Sequence, residues 1–166
     1  MQRTFQAGVL TISDKGSRGE RADESGAVVA GILEQAGFHV AKRGIVSDDV
    51  EQIRGTLTEW ADKENLDLVL TSGGTGLSPT DVTPQAMDAV LDYEVPGMAE
   101  AMRAASLLKT PHAMISRAKA GVRRSCLIVN LPGSPRGARE NLEVLLPALP
   151  HALAKLQGDP SECATA

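Results

Sequence analysis

At 166 residues, with a formal net charge of −4 and 42% hydrophobic content, the chain has the size of one domain that buries its core without disulfides or a structural metal. No apolar run approaches the roughly 20 residues of a membrane span. No basic-then-apolar leader opens the sequence, so a cytoplasmic protein without membrane contact is expected. One Trp, one Tyr and two Phe give few rings for base stacking, and no nucleic-acid partner is expected.

Residues 7–13, AGVLTIS, form a β-rich run that ends in the polar loop DKGSRGERADESG. Val28, Val29, Ile32 and Leu33 then recur at helical spacing, and Gly37 stops that helix. Residues 38–46 read as a second strand. Ser47-Asp48-Asp49 opens a helix with the stripe Val50, Ile53, Leu57, Trp60 and Ala61. LDLVLTS, residues 66–72, is a continuous apolar strand of the kind buried on both faces of a parallel sheet. After the block TSGGTGLSPTDVTPQA, Thr83 is expected to cap a helix that begins at Pro84. A further helix runs from residue 95 or 96 to about 108. HAMIS (112–116) and SCLIVNLPG (125–133) read as strands around a turn at Ala120-Gly121. A leucine-rich helix starts near Pro135, and Pro147 and Pro150 interrupt it. This alternation argues for a mostly parallel sheet covered by helices on both faces. Residues 1–158 are assigned to one domain and 159–166 to a disordered tail.

In open sheets of this kind, ligands sit beyond the carboxyl ends of the strands. Four polar loops follow strands, at 14–25, 47–49, 73–84 and 132–137, and are the expected walls of one site. Gly73, Gly74 and Gly76 leave backbone amides bare, as an anion-binding turn requires. The same triplet also suits a tight turn with no ligand. No G-x-x-x-x-G-K-[ST], no G-x-G-x-x-G after the first strand and no G-x-S-x-G occur. A P-loop, a dinucleotide site of the Rossmann type and a hydrolase elbow are thereby set aside.

Asp48, Asp49 and Asp81 fall at strand-to-helix junctions, where carboxylates suit magnesium with phosphate oxygens and water. Asp48 is read as the helix cap and Asp49 as the carboxylate that faces the cleft. Between residues 101 and 139 there is no acid and there are eight bases, a bias that fits either an anionic ligand or a solvated surface. Ser116 and Arg117, and Arg123, Arg124 and Ser125, offer hydroxyls and arginine forks for phosphate or a pterin. Asn130 suits loop backbone or ligand. His39, His112 and His151 have no partner spacing, and Met98 and Met102 are read as core.

Taken together, LTISD with GERADESG, SDDVEQI, TSGGTGLSPTDVTPQA and LPGSP resemble the MoaB/Mog family of molybdenum-cofactor biosynthesis proteins, in particular its Mog-type adenylyltransferase branch. The likeness spans about residues 8–156. The resemblance implies a three-layer α/β/α sandwich, a homotrimer, and Mg2+-dependent transfer of AMP from ATP to molybdopterin with release of pyrophosphate. It further implies a transient contact with the enzyme that inserts molybdate. Carried onto this chain, it implies Asp49 and Asp81 as the catalytic, metal-holding pair. Gly73, Gly74, Thr75, Gly76, Pro132, Gly133 and Ser134 would line the nucleotide, and Ser116 and Ser125 would contact molybdopterin. The family often has Gly where this chain has Arg124. A trimeric carrier that binds molybdopterin without turnover, and a nucleotide hydrolase that acts without it, are the alternatives.

Overall fold

The computed structural model describes residues 3–163. Six strands, β1 (Gln6–Ile12), β2 (His39–Val46), β3 (Leu68–Ser72), β4 (Tyr93–Glu94), β5 (Ala120–Arg123) and β6 (Cys126–Leu131), form one sheet in the order β2-β1-β3-β6-β5-β4. The run β2-β1-β3-β6 is parallel, and β5 is antiparallel to both of its neighbours. The sheet is therefore mostly parallel, as expected.

Alternation along the central strands sends side chains into two separate cores. Val9, Leu68, Leu70, Leu127 and Val129 point to one face. There they meet α2 (Glu24–Gln35), α5 (Pro96–Leu107), α6 (Pro135–Leu145) and α7 (Leu149–Leu156) through residues such as Val29, Leu33, Met102, Leu142 and Leu153. Leu10, Ile12, Val69 and Ile128 point the other way, against Ile53, Leu57 and Trp60 of α3 (Val50–Asp62) and Met87 and Val90 of α4 (Thr83–Val90). The result is three layers, helix on sheet on helix. Removing one of the fully buried leucines would cost about 2–5 kcal/mol.

The chain leaves β1 toward β2 through α2, then crosses β1 through α3 to reach β3. The winding direction reverses between β1 and β3. Such a switch point forces neighbouring loops apart and opens a crevice at the carboxyl ends of the strands.

Several local expectations need correction. Residues 112–116 are not a strand: Pro111–Ile115 form a 3-10 turn, because Thr110 accepts the His112 amide and Pro111 fixes the first turn. Ala120-Gly121 is not a turn but lies within β5. A Cβ on Gly121 would stand 2.6 Å from the Tyr93 carbonyl oxygen, so the glycine admits the edge strand β4. The hairpin turns instead at Arg124-Ser125, where Arg124 holds φ +53°. A left-handed residue is what glycine supplies most easily, so Arg124 stands at a position whose backbone favours glycine.

Thr83 does not cap α4. It is the helix's first residue, and its hydroxyl donates to the Gly73 carbonyl at 2.9 Å. The leucine-rich helix is broken into α6 and α7, with Pro147 between them and Pro150 in the first turn of α7. The expected tail lies partly outside the described residues, at 164–166. Within it, the Asp159 carbonyl accepts from Lys155, and Asp159 Oδ1 accepts the Ser161 amide. No helix among the described residues is long and apolar enough to cross a membrane.

Candidate functional site

The crevice at the switch point is a cleft of about 660 Å3. Its walls are the ends of β1 (Thr11–Ser13), β3 (Ser72–Gly74) and the segment after β6 (Gly133–Pro135), together with Asp48 after β2 and Asp81. All four loops singled out in the sequence thus converge. Hydrogen bonds join them. Ser25 donates to the Gly133 carbonyl at 3.0 Å and Ser72 to the Pro132 carbonyl at 2.8 Å. Asp14, on the short helix α1 (Asp14–Ser17), exchanges two bonds with Asp48. Each backbone amide donates to the other residue's carboxylate, at 2.9 and 3.0 Å.

The glycine turn explains its own composition. Gly73 holds φ +109°, and a Cβ there would stand 2.3 Å from the Ile12 carbonyl oxygen, so no other residue fits between β1 and β3. Gly74, at φ +68°, would drive a Cβ to 2.3 Å from Thr83 Oγ1 and 3.3 Å from Asp48 Oδ1. At Gly76 a Cβ would come within 2.8 Å of Asp81 Oδ2. The two carboxylates therefore lie directly against the bare backbone, one over each glycine.

Asp48, not Asp49, is the cleft residue. Asp49 is the N-cap of α3, its Oδ1 accepting the Gln52 amide at 2.8 Å, and it does not line the cleft. The cap residue is the one with extended backbone immediately before the first helical turn, and that position falls on Asp49. Burial pushes the Asp48 carboxyl above its ordinary range; the charges of Asp14 and Asp81 push the same way, and the bond from the Asp14 amide opposes them. Asp81 accepts the Ser78 amide at 3.0 Å, an Asx-type contact that coexists with its place on the cleft wall.

A second cavity, of about 290 Å3, adjoins the first. Ser134 lines both. Thr75, Gly76, Pro132 and Ser116 form its inner wall, with Arg103, Lys109 and His112 around them. Of the expected site residues, Gly73, Gly74, Asp81, Gly133 and Ser134 line the larger cleft, and Thr75, Gly76, Ser116, Pro132 and Ser134 the smaller.

Ser125 belongs to neither cavity. It sits exposed at the hairpin tip, at the opposite end of β6 from Pro132. Six strand residues separate the two ends, about 20 Å of extended chain. The arginines beside it are occupied. Arg123 forks onto both oxygens of Asp62, at 2.9 and 2.7 Å, and donates to the Val90 carbonyl, while Arg124 pairs with Asp62 at 3.2 Å. The bond from Arg123 holds the Asp62 carboxyl below its ordinary range. Asn130 holds structure: it donates to Thr71 and accepts the Lys119 amide. Most of the basic segment is likewise paired, with Lys119 on Asp88 and Glu94 and both Lys109 and Arg136 on Glu140.

Two roles escaped sequence reasoning. Arg21, from the loop after β1, lines the larger cleft among its carboxylates. Arg117 donates to the carbonyls of Gly76 and Asp81. An arginine in the segment between the 3-10 turn and β5 gives no sign in the sequence that its partners are backbone oxygens.

Fold and site define an α/β protein with a double cavity at the switch point of a mostly parallel sheet. The chain belongs to the family described as "Probable molybdopterin binding domain", which matches residues 8–151. A molybdopterin adenylyltransferase of Helicobacter pylori (strain J99) is 38% identical over 162 residues, covering 95% of this chain and 90% of the relative. Gephyrin of Dictyostelium discoideum is 41% identical over 92% of this chain, which spans only 23% of that protein. The crystal structure of the molybdopterin biosynthesis enzyme MoaB of Thermus thermophilus superposes with a TM-score of 0.89 at 53% identity, covering 96% of this chain and 100% of that one.

Proposed function

We propose that the chain is a molybdopterin adenylyltransferase: it transfers AMP from ATP to the terminal phosphate of molybdopterin and releases pyrophosphate. The observation that carries this reading is the glycine turn shared by two adjoining cavities. Gly73 and Gly74 face the larger one, and Thr75 and Gly76 the smaller. A turn with this placement suits a reaction that joins two phosphorylated molecules. ATP occupies the larger cleft along Gly73, Gly74, Gly133 and Ser134. The pterin occupies the smaller, beside Ser116 and Pro132.

An oxygen of the molybdopterin phosphate attacks the α-phosphorus of ATP. The new P–O bond forms as the bond to the β-phosphate bridging oxygen breaks, and pyrophosphate carries away that electron pair. No side-chain nucleophile is needed. The protein's work is to hold two anions in line, which is positioning and charge stabilisation. The amides of the glycine turn hold phosphate without adding net charge, and Arg21 balances the growing negative charge on the leaving side.

Asp48 and Asp81 fit Mg2+. Magnesium is commonly held by one or two carboxylates with phosphate and water completing its shell, and two mutually repelling carboxylates over a phosphate-binding turn supply that donor set. When bound, Mg2+ neutralises phosphate charge. Asp48 thereby takes the role first given to Asp49.

A homotrimer fits the exposed apolar side chains Leu107, Leu108, Met114 and Ile115, which lie on the end of α5 and on the 3-10 turn. Sedimentation equilibrium tests it.

The deciding measurement of activity is pyrophosphate release from ATP and Mg2+, with and without molybdopterin. Release that requires molybdopterin is the expected result. Binding of molybdopterin without release would make the chain a carrier, and release without molybdopterin would make it a nucleotide hydrolase.

A further inference from the structure

Between Gly76 and Asp81 the chain makes an excursion of four exposed residues, Leu77–Thr80. Its only internal fastenings among the described residues are short polar contacts. Asp81 Oδ2 and the Ser78 amide meet at 3.0 Å, the Asp81 amide donates to the Ser78 carbonyl at 2.9 Å, and Ser78 bonds Thr80. Nothing apolar pins it, since Leu77 is 63% exposed. Yet this excursion carries Asp81, whose carboxylate must hold its place over Gly76.

The base of the excursion is closed by one side chain. Arg117 Nε donates to the Gly76 carbonyl at 2.9 Å, and Arg117 Nη2 donates to the Asp81 carbonyl at 2.7 Å. The same guanidinium thus holds the residue that enters the excursion and the residue that leaves it. Its remaining nitrogen reaches Gln85 on α4 at 3.3 Å. The Arg117 backbone amide donates to the Thr75 carbonyl at 2.8 Å, so main chain and side chain clamp the same turn. Arg117 is itself fixed from behind, because Arg103 donates to the carbonyls on either side of it, those of Ser116 and Ala118. Unlike Arg123, it directs its fork to carbonyl oxygens, and only the planar, three-nitrogen geometry of arginine reaches all three partners.

We propose that Arg117 is a positioning residue: it sets the Asp81 carboxylate for the larger cleft and ties it to the wall of the smaller one. Ser116, the adjacent residue, lines the smaller cavity, and Asp81 lines the larger. A ligand that presses on Ser116 therefore acts on the backbone that carries the Arg117 fork. This inference rests on the assignment of the two cavities to ATP and molybdopterin.

The test compares wild type with Arg117→Met and Arg117→Lys in the full chain, by two readouts. The first is hydrogen exchange at the Ser78 and Asp81 amides, which needs no activity. Both variants should accelerate exchange there, while core amides of β3 and β6 keep wild-type protection. The second is kinetics. Both variants should lower kcat by about 10–100-fold, the usual loss when a supporting contact behind a functional carboxylate is removed, with KM for ATP held within about threefold. They should also raise the Mg2+ concentration for half-maximal rate. Lysine keeps the charge but not the fork, so failure to rescue is part of the expectation. Full rescue by lysine, unchanged exchange at Ser78 and Asp81, or an unchanged kcat in a merely less stable protein would overturn the proposal. Absence of turnover in wild type would instead remove the adenylyltransferase reading, and exchange would still decide the role of Arg117.

Discussion

The two ends of β6 differ in the chemistry the sequence offers, and the fold reverses what that difference suggests. At one end, Arg123, Arg124 and Ser125 offer two guanidinium groups and a hydroxyl. At the other, Pro132, Gly133 and Ser134 offer mostly backbone. The richer-looking end is closed: Asp62 takes both arginines, and Ser125 is left on a hairpin tip. The plainer end lines both cavities, with Ser134 in each. Charge is available to a ligand only where the fold does not already supply its counterion. Carbonyls, amides and carboxylates that crowd one another mark the site better than a count of bases.

The sharpest way to break this contrast is to neutralise the cleft carboxylates. Asp81→Asn and Asp48→Asn should each lower molybdopterin-dependent pyrophosphate release by about 100-fold or more, since each removes a carboxylate that would hold the phosphate-neutralising Mg2+. An Asp48→Asn enzyme with near-normal turnover would return the metal role to Asp49.

At the closed end, Arg123→Ala should cost about 2 kcal/mol of stability through loss of charge-assisted bonds to Asp62, with turnover unchanged. Thermal unfolding measures the first and the pyrophosphate assay the second. The pH dependence has a definite sign. Because Asp62 titrates below its unfolded value when paired, its contribution is full above the unfolded carboxylate range and fades as pH falls through the lowered one. The acid limb of Tm against pH should flatten in Arg123→Ala. An identical limb would assign acid sensitivity to other groups.

Asp49→Ala should remove the α3 cap and cost about 1 kcal/mol, again leaving turnover within a few-fold. Read beside Asp48→Asn, it separates two adjacent acids by two different observables. The smallest effect belongs to Ser125→Ala, for which KM for molybdopterin should not move. A rise of about tenfold would bring the hairpin tip back into the site, through a partner subunit.

The cysteines give a control on burial. Cys126 is buried, which pushes its thiol up to about 12, whereas Cys163 is exposed. Alkylation of the native protein at neutral pH should label Cys163 and spare Cys126 until unfolding.

Much of this was legible before any coordinates. The stripes of α2 and α3 and the apolar run of β3 each follow a single periodicity, and short-range sterics decide them. The glycine block was legible as a turn of bare backbone after β3, although the triplet alone suits a tight turn with no ligand as well as an anion-binding one. The 112–116 segment was not legible, since a capping threonine and a proline outweighed the strand-like character of those five residues. The choice between Asp48 and Asp49 was not legible either. It depends on where α3 begins to within one residue, and composition alone does not resolve a helix boundary so finely.

What the sequence by itself determined is the alternation of strand and helix, the two-sided burial of the central strands and the four loops at their carboxyl ends. These follow from local periodicity and from the rule that parallel strands need crossovers. Which carboxylate faces the cleft, which arginines find acids and which serine lies far from the others came only from the tertiary structure. Those outcomes depend on residues distant in sequence meeting in space: Asp62 beneath Arg123, Asp14 across from Asp48, and Arg117 across the base of the Asp81 excursion.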